Sequence, residues 1–184
     1  MAKLNDVADF YIALAQEMAD AGLGDAMTNL RLQKMLYFSQ GWSLARNGKP
    51  LFDEPIEAWQ YGPVVPPCYR WYKGFGSSPL SAVMPSRDAF SEEEYELLLD
   101  VWNELSRHST AQLVTMTHAE GTPWDQVWNH SSSREITKES IGKFFSKIHL
   151  PSMKDALSAI PIVKPLYYKD GVPVFSAEEN LQYE

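Results

Sequence analysis

A mainly α fold, a compact bundle of about six to seven short helices around one central apolar helix (Thr28–Arg46), is what the sequence predicts. Three observations carry it. Apolar residues recur at helical spacing through most of the chain, and cap signals mark where those periods start and stop. Strand signals are confined to a small hairpin element near Glu57–Tyr61 and a C-terminal hairpin around Lys169-Asp170-Gly171.

Taken in order, Val7, Phe10, Tyr11, Leu14 and Met18 line one face of a first amphipathic helix, which Gly22 and Gly24 end. Thr28 offers its hydroxyl as the cap of a second helix, and Asn47-Gly48 stops it. Between them Leu30, Leu32, Met35, Leu36, Tyr37, Phe38, Trp42 and Leu44 cover most of the circumference, the pattern of a helix packed on several sides. Glu57-Ala58-Trp59-Gln60-Tyr61 alternates like a short strand, with Gly62-Pro63 as its turn, and Tyr69, Trp71 and Tyr72 suggest a short aromatic helix. Ser77 to Arg87 reads as a surface loop.

Ser91-Glu92-Glu93-Glu94 and Ser109-Thr110-Ala111-Gln112 are capping boxes, in which the serine hydroxyl accepts from the N3 amide and the N3 side chain reaches back. Thr122-Pro123 and Thr137 start two further helices, the second carrying Ile141, Phe144, Phe145 and Ile148 on one face. After Pro151 a short helical piece to Ala159 and the hairpin around Asp170-Gly171 follow, with Pro165 and Pro173 confining those strands to an edge. The expected organisation is a helical domain over residues 1–150 and an extension, 151–184, packed on the same domain.

Composition narrows the function. A chain of 184 residues at 45% hydrophobic content can bury one substantial core without staples. With 16 basic and 24 acidic residues its net charge is -8, which disfavours nucleic acid and anionic membrane surfaces as partners. Cys68, the single cysteine, excludes an internal disulfide and a cysteine-built metal cage, and suits a reducing compartment. The start, Met1-Ala2-Lys3-Leu4, lacks the apolar run of a signal peptide, and no apolar stretch has the length of a membrane span, so a cytoplasmic location is expected.

No G-x-S-x-G elbow, phosphate loop, G-x-G-x-x-G fingerprint or H-E-x-x-H motif is present. The histidines at 108, 118, 130 and 149 lack the i, i+4 pairing of two metal ligands on one helix face. Neither a metal nor a cofactor is expected. Cys68 has no adjacent lysine or histidine to favour its thiolate and reads as an apolar filler. An enzyme using His118 with Glu57 or Cys68 is the weaker alternative.

The aromatic content is more informative. Trp59, Tyr61, Tyr69 and Trp71 crowd a segment near Gln40; most such rings fill cores, whereas at an exposed edge they anchor a partner. Arg31, Lys34 and Arg46 are the only charges on the central helix, all positive, and predict a local basic face for an acidic partner patch.

At these residues the chain resembles the Panacea domain family, the SocA-like antitoxins. The run from Thr28 to Phe38, with Leu32, Gln33, Lys34 and Tyr37, followed by Gln40-Gly41-Trp42, is similar to the family's signature helix. Gly48-Lys49-Pro50-Leu51-Phe52, Glu57-Ala58-Trp59-Gln60-Tyr61-Gly62-Pro63-Val64-Val65 and Tyr69 resemble its second motif, and Thr117-His118 with Pro123-Trp124 its third. The resemblance implies a helical domain, found in antitoxins and in phage-associated proteins, that binds and neutralises a toxin encoded beside it. One branch of the family delivers its toxin to a Clp-type protease, which makes such a protease a second implied partner. It supplies no catalytic residues, and the motif positions are expected to hold the fold.

Overall fold

The computed structural model describes residues 1–152, 167–169 and 172–174. Among them α1 (Leu4–Asp20) buries Val7, Phe10, Tyr11 and Ile12, and the chain leaves it through Gly22 at φ 70°. In α2 (Asn29–Asn47) the Thr28 hydroxyl accepts from the Arg31 amide, and Gly48, at φ 64°, returns its N–H to Leu44 O. Between Asn29 and Ser43 every residue of α2 except Leu30 is buried, because α1, α4, α7 and the later short elements pack on different sides of it. The all-round apolar pattern was the signature of that central position.

β1 (Ile56–Trp59) and β2 (Gly62–Val64) form the expected hairpin, pairing Glu57 with Val64, Ala58 with Pro63 and Trp59 with Gly62. Its turn is Gln60-Tyr61, not Gly62-Pro63, which lie inside β2. A proline is tolerated there because its partner Ala58 directs its own N–H the other way, to Arg134 O at 2.7 Å, so no ladder bond between β1 and β2 is lost. The receiving strand, β3 (Glu135–Ile136), completes an antiparallel sheet of order β2-β1-β3. Two residues are too few to show an alternation in sequence.

α3 (Pro66–Tyr72) starts with prolines in its first turn, where a missing N–H costs nothing. The loop from Ser77 is mostly exposed, but Ala82 and Pro85 are half-buried and Leu80 is buried and donates its N–H to Met27 O. The capping boxes form at the starts of α4 (Glu92–Leu105) and α5 (Thr110–His118), and Thr122 and Thr137 cap α6 (Pro123–His130) and α7 (Lys138–Phe145). α7 packs most extensively on α2, and the Phe145 ring lies flat against the backbone at Gly41: a Cβ there would overlap the ring. Gly41 is therefore a close-approach glycine.

Two compact units divide after Met153. In the second, β4 (Tyr167–Lys169) pairs antiparallel with β5 (Val172–Val174) in the register Lys169 to Val172, as the Asp170-Gly171 signal requires. The helical piece expected before Ala159, and the packing of the extension, lie outside the described residues. Among the described residues no helix is long and apolar enough to cross a membrane.

Candidate functional site

Four polar side chains of α2 tie it to the hairpin and to the segments on either side of it. Gln33, one turn after Asn29, accepts from Val65 N at 2.9 Å and donates to Asn29 Oδ1 at 2.9 Å, while Asn29 Nδ2 donates to Tyr69 O. The result is a relay of amides from Val65, just after β2, through α2 to α3. Lys34 is wholly buried and donates its Nζ to Pro63 O at 3.0 Å. No carboxylate lies within ion-pair distance of it among the described residues, so burial alone lowers its pKa to about 7. Two turns on, Gln40 accepts from Leu51 N and Phe52 N and donates to Phe52 O, fastening the segment before β1.

The opposite side of the hairpin is held by α5 and α6. Trp124 donates its indole N–H to Trp59 O at 2.8 Å, and His118 packs on Trp124 with ring centroids 3.8 Å apart and the planes tilted by 47°. His118 Nδ1 donates to Val114 O at 2.7 Å, and its Nε2 lies 3.2 Å from Gln60 O. Thr117 Oγ1 bonds Val114 O and sits against Gly62, whose φ of 100° and lack of a Cβ leave room for both that hydroxyl and Lys34 Nζ. The turn Gln60-Tyr61 is thus clamped from two directions.

What this clamp presents is a groove of about 370 Å³ beside the N-terminal half of α2. Trp59, Tyr61 and Tyr69 form its aromatic wall, with Trp59 and Tyr69 edge-to-face at 4.9 Å, and Lys73 is its charged lining residue. Three of the four aromatic residues expected to meet a partner are therefore together. Trp71 is 49% exposed but does not line the groove.

The basic face expected on α2 does not exist. Arg31, Lys34 and Gln40 are all buried and cannot reach a partner directly. Arg31 donates to the carbonyls of Leu105, Ser106 and His108, satisfying the C-terminal end of α4 where the helix dipole favours a cation. Arg46 pairs with the buried Asp100 of α4 at 2.7 Å. Sequence reasoning read these charges as a face for a partner because periodicity does not reveal a helix end or carbonyl waiting on a neighbour. It also passed over Lys73, whose i+4 spacing from Tyr69 was the available signal that both share one face.

His118 is not paired with Glu57 or with Cys68. His118 faces backbone carbonyls, Glu57 accepts from Trp59 Nε1 at 2.8 Å, and Cys68 is fully buried, which pushes its thiol up to about 12. Among the described residues no cluster of His, Cys, Asp and Glu is arranged to hold a metal.

Residues 32–125, just over half of the 184-residue chain, match the family model described as Antitoxin SocA-like, Panacea domain. The chain belongs to the SocA-like Panacea family. Among curated proteins it is similar to Antitoxin SocA of Caulobacter vibrioides (strain NA1000 / CB15N), 36% identical over 123 residues, covering 59% of this chain and 64% of that protein. The chain thus spans less than two thirds of the length of that relative. No solved structure matches it. The Panacea match begins at Leu32 and ends at Asp125, one residue beyond the Trp124 that holds the turn.

Proposed function

We propose that this protein is antitoxin-like and acts by direct binding, occluding a protein toxin encoded beside it. The observation that carries the reading is the hairpin junction. Its buried motif residues are engaged in backbone ties, and what it offers outward is an aromatic groove with Tyr61 63% exposed. That is an arrangement suited to recognition, since rigid aromatic side chains give contact area at small entropic cost. Membership in the Panacea family, and the name of the Caulobacter vibrioides relative, support a toxin as the partner. The burial of Cys68 and the engagement of His118 favour binding over catalysis.

The test is co-expression with the product of the reading frame adjacent to its gene. Neutralisation predicts restored growth, co-purification of the two proteins and an unchanged toxin half-life. No rescue and no complex would overturn the reading. A shortened half-life would instead make the protein an adaptor that delivers the toxin to a protease of the Clp type.

A further inference from the structure

We propose that the groove beside α2 receives an extended, acidic segment of the partner protein that also carries apolar side chains. The inference rests on the binding function proposed above and assigns the surface and the partner chemistry to it.

Three features of the groove support this occupant. Its volume, about 370 Å³, is at the lower end for pockets that enclose a ligand, and suits a few side chains of a linear segment more than a broad domain face. Its walls are Trp59, Tyr61, Tyr69, Val64 and Leu30, and Tyr61 and Leu30 are among the large apolar residues left exposed. Apolar side chains of the segment would be desolvated there. The hairpin is already fixed by Trp124 and Gln33, so little ordering is required when the groove fills.

Charge selects the acidic class. The chain as a whole carries -8, yet the groove's charged lining residue is Lys73; Arg70, exposed and three residues earlier, adds a second positive charge at α3, while the Glu57 carboxylate beside the wall is engaged by the Trp59 indole N–H. An acidic segment is repelled by the molecule at large and attracted at this edge, which steers its encounter. Strand addition does not compete as a docking mode on β2, because its outer side is already occupied: Lys34 takes the Pro63 carbonyl and Gln33 the Val65 amide. Recognition therefore runs through side chains.

The probe is a set of overlapping synthetic peptides tiled across the adjacent reading frame's product, titrated into the full chain by calorimetry. The tightest-binding tiles are expected to be net acidic with apolar residues, and to weaken with added salt. Tyr61→Ala and Lys73→Glu should each weaken them about tenfold. Both residues are exposed, so these variants should keep the wild-type melting temperature; Val83→Ala, at an exposed loop position outside the groove, should bind as wild type. Basic tiles as the tightest binders, or tiles unaffected by Tyr61→Ala and Lys73→Glu, would overturn the proposal. So would the absence of any binding tile while growth rescue by the wild type is intact. Rescue separates the two readings: if wild type fails to rescue, the antitoxin reading falls, and if the double variant rescues equally well, only the groove assignment falls.

Discussion

Lys34 donates its Nζ to the carbonyl oxygen of Pro63 at 3.0 Å from a side chain with no exposed surface. Burial lowers its pKa from 10.5 to about 7, so in the folded protein it gives up its proton well before it does in the unfolded chain. Between pH 7 and 10.5 the unfolded state holds this proton and the folded state does not, so the contribution of Lys34 to stability rises with pH. Below about 7 both states are protonated and the slope vanishes. A full proton's difference is worth about 1.4 kcal/mol per pH unit. Urea unfolding from pH 6 to 9.5 should show this rise in the wild type and lose it in Lys34→Met; equal slopes in the two proteins would contradict the assignment.

Gly62 should be intolerant of even a methyl group. Its φ is 100°, and a Cβ would lie 2.5 Å from Lys34 Nζ and 2.8 Å from Thr117 Oγ1. Strain and overlap act together, so Gly62→Ala is expected to cost about 3 kcal/mol. Gly48→Ala, in the left-handed α region at φ 64° and with open space around it, should cost only the backbone strain of about 1 kcal/mol. Similar melting temperatures for the two variants would remove the close approach of Lys34 as the cause.

These residues show where sequence reasoning reaches and where it stops. Caps are local, so Thr28, Ser91, Ser109, Thr122 and Thr137 were legible from a few neighbouring residues, and each forms the cap its spacing implied. The central helix was legible because burial on several sides removes the polar stripe. Arg31, Lys34 and Gln40 were not, because their partners are carbonyls and amides 11 to 77 positions away along the chain. A polar residue in an apolar helix reads the same whether it meets water or a buried backbone group. The groove was half legible: its aromatic residues cluster in sequence, whereas Asn29 and Leu30 join it only through the tertiary fold.

Gln40 makes a sharper test of that distinction. Gln40→Ala removes the acceptor for Leu51 N and Phe52 N and the donor to Phe52 O, leaving three buried backbone groups unpaired. The expected loss is about 3 kcal/mol or more. Gln60, three residues before Pro63 and exposed, should tolerate alanine within about 0.5 kcal/mol. Chemical denaturation of the two variants measures the contrast, and equal costs would deny Gln40 its role as a fastener.

The clamp on the turn can be loosened without touching the groove. Trp124→Phe keeps an aromatic ring against His118 but removes the N–H that meets Trp59 O at 2.8 Å. About 1–2 kcal/mol of stability should be lost, and amide exchange at Gln60 and Tyr61 should accelerate more than exchange within α4. Uniform acceleration across the domain would mean that Trp124 supports the core generally instead of holding this turn.

Tyr37 yields a prediction of opposite sign. Its ring packs edge-to-face on Phe38 and Phe145, but its hydroxyl, buried, has no hydrogen-bond partner among the described residues. Burial of a polar group without a partner is unfavourable, and burial also raises the pKa of this phenol, which keeps it neutral and protonated across the accessible pH range. Tyr37→Phe preserves the ring contacts and removes the orphaned group, so it should leave stability unchanged or raise it by up to about 1 kcal/mol. A loss of more than about 1 kcal/mol in urea unfolding would show that the hydroxyl is bonded in solution, as a bridging water would allow, and would turn Tyr37 from a packing residue into part of a polar network on α2.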